Sequence, residues 1–158
     1  MNEQQLIFME RAVELSRQGM QGGKGGPFGC VIVKDGRIVG EGCNQVTSSN
    51  DPTAHAEVVA IRNACQVLQT FQLQGCEIYT SCEPCPMCLG AIYWAGIKKI
   101  YYACTKEDAA DAHFDDAFIY RELDTPKSER QLPQECCLRE EALKVFEAWQ
   151  RKQDKIAY

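Results

Sequence analysis

Two short motifs, His55-Ala56-Glu57 and Pro84-Cys85-Pro86-Met87-Cys88, constrain this chain more than anything else in it. Each opens a predicted helix: Asp51-Pro52-Thr53 precedes an apolar-periodic run over residues 54–67, with Thr53 as the expected N-cap, and Pro86 begins a run over 86–95. Cys85 and Cys88 are three apart, so they share one helical face. The positive end of a helix dipole favours thiolates at that position. A fold that joins the two helix starts would gather one imidazole and two thiolates around a metal ion. Three protein ligands leave a fourth tetrahedral position for water, the catalytic rather than the structural arrangement of zinc. Glu57 lies two residues from His55, close enough to meet that water without ligating. A carboxylate there can take a proton from water and return it to a leaving group.

Each piece alone has a plainer reading. A lone histidine on a helix is more often core or surface than ligand, and a lone Cys-x-x-Cys serves as a redox pair or structural clip. The conjunction of residue types, order and helix starts favours a catalytic zinc site. Cys82 extends the spacing to Cys82-x-x-Cys85-x-x-Cys88, as in an iron–sulfur run. The bacterial ferredoxin pattern needs a further Cys-Pro, where this chain has Leu89-Gly90-Ala91-Ile92. Cys82 is therefore expected to end a strand. With ten cysteines and no basic, apolar leader at the start, most thiols read as small buried apolar groups in a reducing, cytoplasmic compartment.

Around the motifs, hydrophobic periodicity predicts a helix over 4–20, a hairpin of strands 28–33 and 37–42 about Asp35-Gly36, a strand over 77–80 and another over 99–103. The order α-β-β-α-β-α-β implies helices on both faces of one sheet, and the last two crossovers suit parallel strands. Gly22-Gly23-Lys24-Gly25-Gly26-Pro27 lacks the spacing of a phosphate loop and reads as a close approach to a pocket. Leu138, Ala142, Val145 and Trp149 put an apolar stripe on a final helix over 138–150.

The 158 residues fit one domain, and no apolar run approaches the ~20 residues of a membrane span, so no membrane partner is expected. Net charge is −5, with an acidic C-terminal half, which disfavours a nucleic-acid partner.

H-x-E followed by P-C-x-x-C is the general mark of zinc nucleobase deaminases. Through Thr53-Ala54-His55-Ala56-Glu57 and Ser81-Cys82-Glu83-Pro84-Cys85-Pro86-Met87-Cys88 the chain resembles the cytidine and deoxycytidylate deaminase superfamily. Within it the chain is similar to the small bacterial guanine deaminases. That likeness extends to Gly25-Gly26-Pro27-Phe28-Gly29, Thr47-Ser48-Ser49-Asn50-Asp51-Pro52, Ala91-Ile92-Tyr93-Trp94-Ala95, Phe114-Asp115-Asp116 and Tyr158.

The resemblance implies a three-layer α/β/α sandwich with a mixed five-stranded sheet, one Zn2+ held by His55, Cys85 and Cys88, and Glu57 as proton shuttle. It implies substrate contacts at Phe28, Asn44, Ala56, Trp94, Asp116 and Tyr158, with Asp116 assisting catalysis. It also implies a homodimer that exchanges the C-terminal segment 120–158, so that Trp94 and Tyr158 reach the partner's pocket. Phe28 could stack on a planar base, Asn44 could offer donor and acceptor to a purine edge, and the carboxylate of Asp116 could accept from guanine N–H groups. His113 reads as structural or solvent-facing. The expected activity is hydrolysis of guanine to xanthine and ammonia. Its rivals are a guanosine or other nucleoside deaminase, a tRNA adenosine deaminase, and a zinc-bound non-catalytic scaffold.

Overall fold

The structure, a computed structural model, describes residues 2–157. Helix α1 (Glu3–Gln21) starts at a reciprocal cap: Asn2 accepts from the Gln5 amide and Gln5 accepts from the Asn2 amide, both at 2.9 Å. Strands β1 (Gly29–Lys34) and β2 (Arg37–Cys43) form an antiparallel hairpin. Asp35 and Gly36 both have positive φ, 50° and 73°, as a type I′ turn requires. A short helix α2 (Val46–Ser49), absent from the sequence pattern, leads to α3 (Ala56–Leu68). Strand β3 (Glu77–Cys82), helix α4 (Pro86–Ala95) and strand β4 (Lys99–Cys104) follow.

The sheet order is β2-β1-β3-β4. Because β1 is antiparallel to both β2 and β3, and β3 is parallel to β4, strands β2, β3 and β4 run the same way. Both helical crossovers therefore join parallel strands, as expected.

Alternation along the strands builds two cores. Val31, Val33 and Tyr79 face Phe8, Met9 and Ala12 of α1. Cys30, Ile32 and Ile78 face Ala56, Ala60 and Ala64 of α3 and Ile92 and Ala95 of α4. The α3 contact is small on small. A Cβ on Gly40 would stand 2.5 Å from the Ala60 carbonyl, so glycine there lets the helix lie close on β2.

The sheet has four strands among the described residues, not five. After β4, Thr105 and Asp108 cap each other, and the chain turns at once into α5 (Lys106–Asp111). Beyond Cys104 the β-branched residues are the isolated Thr105, Ile119, Thr125, Val145 and Ile156, so no run could supply a fifth strand. The chain instead continues as α6 (Ala117–Asp124), a 3-10 turn (Lys127–Glu129) and α7 (Arg139–Arg151). It divides into two compact units, one ending at Asp116 and one beginning at Ala117. No helix among the described residues is long and apolar enough to cross a membrane.

Candidate active site

Both motif helices begin with a residue that withholds its side chain from capping. His55 is the N-cap of α3 and Cys85 the N-cap of α4, each in extended conformation and neither making a side-chain cap bond. Thr53, the expected cap, lies earlier: its hydroxyl and amide both donate to Asp51 Oδ1, at 2.7 and 2.8 Å. An imidazole nitrogen and a thiol sulfur are poor substitutes for the short oxygen acceptors that cap helices. They are left for each other. His55 Nδ1 stands 3.5 Å from both Cys85 Sγ and Cys88 Sγ, and the three donor atoms lie within 4.8 Å of one another. Tetrahedral zinc with ordinary Zn–N and Zn–S bonds would separate such a pair by about 3.6 Å. The donor set fits zinc in kind and in spacing.

The thiols titrate as a pair. A hydrogen bond from Cys88 holds Cys85 down at about 4, with further help from His55. The same bond pushes Cys88 up. Hydrogen bonding to Cys85 raises His55. Cys82 ends β3, as expected, and its thiol donates to the Thr105 carbonyl at 3.4 Å. Burial lifts it to about 11, so it stays a neutral thiol outside the donor cluster.

Glu57 occupies the first turn of α3 and is only 6% exposed. Burial raises its carboxyl above the usual range. Oε1 accepts from the Thr80 hydroxyl at 3.3 Å and Oε2 from Cys88 Sγ at 3.4 Å, and the Glu57 backbone amide also bonds the carboxylate.

His55, Glu57 and Cys85 open into a cavity of about 320 Å³ that Phe28, Asn44 and Asp116 also line. Phe28 meets Phe114 edge to face, with centroids 4.9 Å apart. Asn44 Oδ1 accepts from the amides of Gly26 and Val46, at 3.3 and 3.1 Å. Its oxygen is thus committed within the chain, which leaves the NH2 as the group free of those two bonds. The glycine-rich stretch is the wrapper: any Cβ on Gly25 would collide with the Asn44 side chain. Burial, then the negative charge of Cys85, raises Asp116.

Two expected contacts do not line this cavity. Trp94 is 70% exposed on α4, and the Ala56 side chain is packed in the core. The Ala56 amide belongs to the first turn of α3, where N–H groups have no intrahelical acceptor. Tyr158 lies outside the described residues. His113 is exposed. Sequence reasoning gave no role to Phe114, Lys106, Thr47 or Thr80; for Thr80 the signal was present, because strand alternation sets it on the face of Ile78 that packs against α3.

Residues 2–104 match the model of the cytidine and deoxycytidylate deaminase zinc-binding region, and the chain belongs to that family. It is 58% identical over 151 residues to guanine deaminase of Bacillus subtilis (strain 168), covering 96% of this chain and 97% of that one. A solved structure of the Bacillus subtilis guanine deaminase superposes with a TM-score of 0.95 at 56% identity, covering 100% and 99% of the two chains. The tRNA-specific adenosine deaminase of Aquifex aeolicus (strain VF5) is 32% identical over 145 residues, covering 92% and 93%.

Proposed function

We propose that this chain hydrolyses guanine to xanthine and ammonia, with zinc held by His55, Cys85 and Cys88. One observation carries this above the others: a single cavity joins the metal-donor cluster, a buried carboxylate and base-recognising groups, in a chain 58% identical to a guanine deaminase. At about 320 Å³ the cavity sits at the small end of ligand pockets, which run from roughly 300 to 1,000 Å³. That suits a purine base better than a nucleotide.

Phe28 and Phe114 supply an aromatic wall for the ring. The Asn44 NH2 donates to an acceptor on the base, and Asp116 accepts from its N–H groups. Bound zinc would supply Lewis acidity, which lowers the pKa of water to about 7. Glu57 takes a proton from the water that adds at C2 and delivers it to a ring nitrogen. The bond from C2 to the exocyclic amino group then breaks as the proton of the added hydroxyl passes to that group, with Asp116 assisting, so that ammonia leaves and C2 becomes the carbonyl of xanthine. The raised carboxyls of Glu57 and Asp116 favour this work, since a proton carrier acts best when its pKa approaches the working pH.

Ala56 would contribute through its main-chain N–H. Trp94 and Tyr158 would act on a partner's cavity within a homodimer that exchanges residues 120–158. The support is an exposed stripe of Leu138, Val145, Phe146 and Trp149 on and beside α7, together with the exposure of Trp94. Ten free thiols suit a reducing cytoplasm.

The test is ammonia release by zinc-loaded protein offered guanine, guanosine, cytosine, adenosine and a tRNA anticodon stem-loop in parallel. Turnover of guanine alone is expected. Turnover of the RNA or of a nucleoside in its place would overturn the substrate while keeping the zinc chemistry.

A further inference from the structure

We infer that Thr80 is a positioning residue for Glu57, fixing one carboxylate oxygen so that the other faces the metal donors; this rests on the deamination reading above. Thr80 lies mid-strand in β3, 1% exposed, on the face that carries Ile78 into the α3–α4 core. A hydroxyl in such a place costs free energy unless it is hydrogen-bonded, and valine would fill the same space without that cost. The bond it makes is to Glu57 Oε1, at 3.3 Å.

The second oxygen behaves differently. Oε2 accepts from Cys88 Sγ at 3.4 Å, and Cys88 belongs to the cluster with His55 and Cys85. Metal ligation takes cysteine as thiolate, which has no proton to donate. With zinc bound, Cys88 would have no proton to donate to Oε2, while the Thr80 hydroxyl would still have one for Oε1. Oε2 is then the oxygen released toward the reacting water, and Thr80 limits how far the carboxylate can turn. Proton transfer needs its partners within hydrogen-bond reach, so holding Oε1 sets the reach of Oε2.

The experiment compares Thr80→Val, which keeps shape and loses the hydroxyl, with Thr80→Ser, which keeps the hydroxyl. For Thr80→Val the expected result is unchanged zinc per chain, xanthine binding and KM within about twofold, and kcat lower by about tenfold. Thr80→Ser should restore kcat to within about threefold of the parent. Crystal structures of the zinc-loaded variants should show the Glu57 carboxylate rotated in Thr80→Val and unmoved in Thr80→Ser. An unchanged kcat in Thr80→Val, or a serine variant as slow as the valine one, would overturn the inference. Should the valine variant fail to fold, Thr80→Ala, which also lacks the hydroxyl, takes its place in both readings against the serine variant. If the parent releases no ammonia from guanine, the substrate reading fails. The crystallographic comparison then decides Thr80 by itself, an unmoved carboxylate overturning the role.

Discussion

The unit ending at Asp116 buries Ala12, Cys30, Val31, Ile32, Leu73, Ile78 and Tyr79 almost completely, whereas the unit beginning at Ala117 has no buried residue among its described positions. Every side chain that lines the cavity at the donor cluster lies in the first unit. Chemistry that depends on sub-ångström placement of His55, Cys85, Cys88 and Glu57 sits where helix starts are pinned against a packed sheet. The second unit carries amphipathic helices with Leu138, Val145, Phe146 and Trp149 turned outward, a pattern that asks for cover. The second unit has no core of its own among its described residues, and that is what supports the proposed exchange of residues 120–158 within a homodimer.

The sharpest contrast comes from the donor cluster. Cys85→Ala should leave almost no zinc on the chain and lower deamination by about a thousandfold or more, read by metal analysis and ammonia release. Full zinc content in that variant would move the metal elsewhere. Next in size, Leu73→Ala, fully buried between α3 and α4, should cost about 3 kcal/mol in denaturant unfolding. A cost near zero would mean that the first unit is looser than its burial indicates.

The second unit should respond through assembly and turnover, not through zinc. Removing residues 154–158 should lower guanine turnover about tenfold with zinc unchanged, since apolar and aromatic groups that close a site act on rate more than on metal affinity. Val145→Asp on α7 should shift a dimer toward monomer in sedimentation analysis. An unaltered truncation and an unaltered sedimentation profile would together separate the second unit from the site.

The smallest effect concerns the seam between α1 and β2. Arg11 holds Glu41 in a two-point pair at 2.7 and 2.8 Å, which lowers the Glu41 carboxyl and raises Arg11. Both side chains are about a third exposed, so Glu41→Gln should cost only about 0.5 kcal/mol. Because the folded value of Glu41 is depressed, that contribution is full above the unfolded carboxylate range. It fades as pH falls through the lower folded value, so parent and variant should converge in acid unfolding curves.

Much of the site could be read from residue order because its parts are local. Pro86 at the first turn and Gly96 at φ 71° bound α4 as a proline-start, glycine-stop helix, and its limits fell where the sequence placed them. His55, Glu57, Cys85 and Cys88 needed only the two helix starts to meet. What escaped depends on packing across the sheet. The committed oxygen of Asn44 follows from the Gly26 and Val46 amides, and the bond from Thr80 to Glu57 joins β3 to α3; neither spacing is visible along the chain. The fifth strand came from resemblance, and the scattered β-branched residues after Cys104 could not build it. Trp94, which the resemblance assigns to a partner's pocket, stands exposed on α4 in its own chain.

The central claim is that Glu57 moves the proton in a zinc-dependent deamination of guanine. Glu57→Gln keeps the shape and removes the base, so zinc content and ammonia release should be measured together on that variant. Zinc at the parent level with turnover down by about a thousandfold is the predicted result. Parent-level turnover with zinc retained would contradict it.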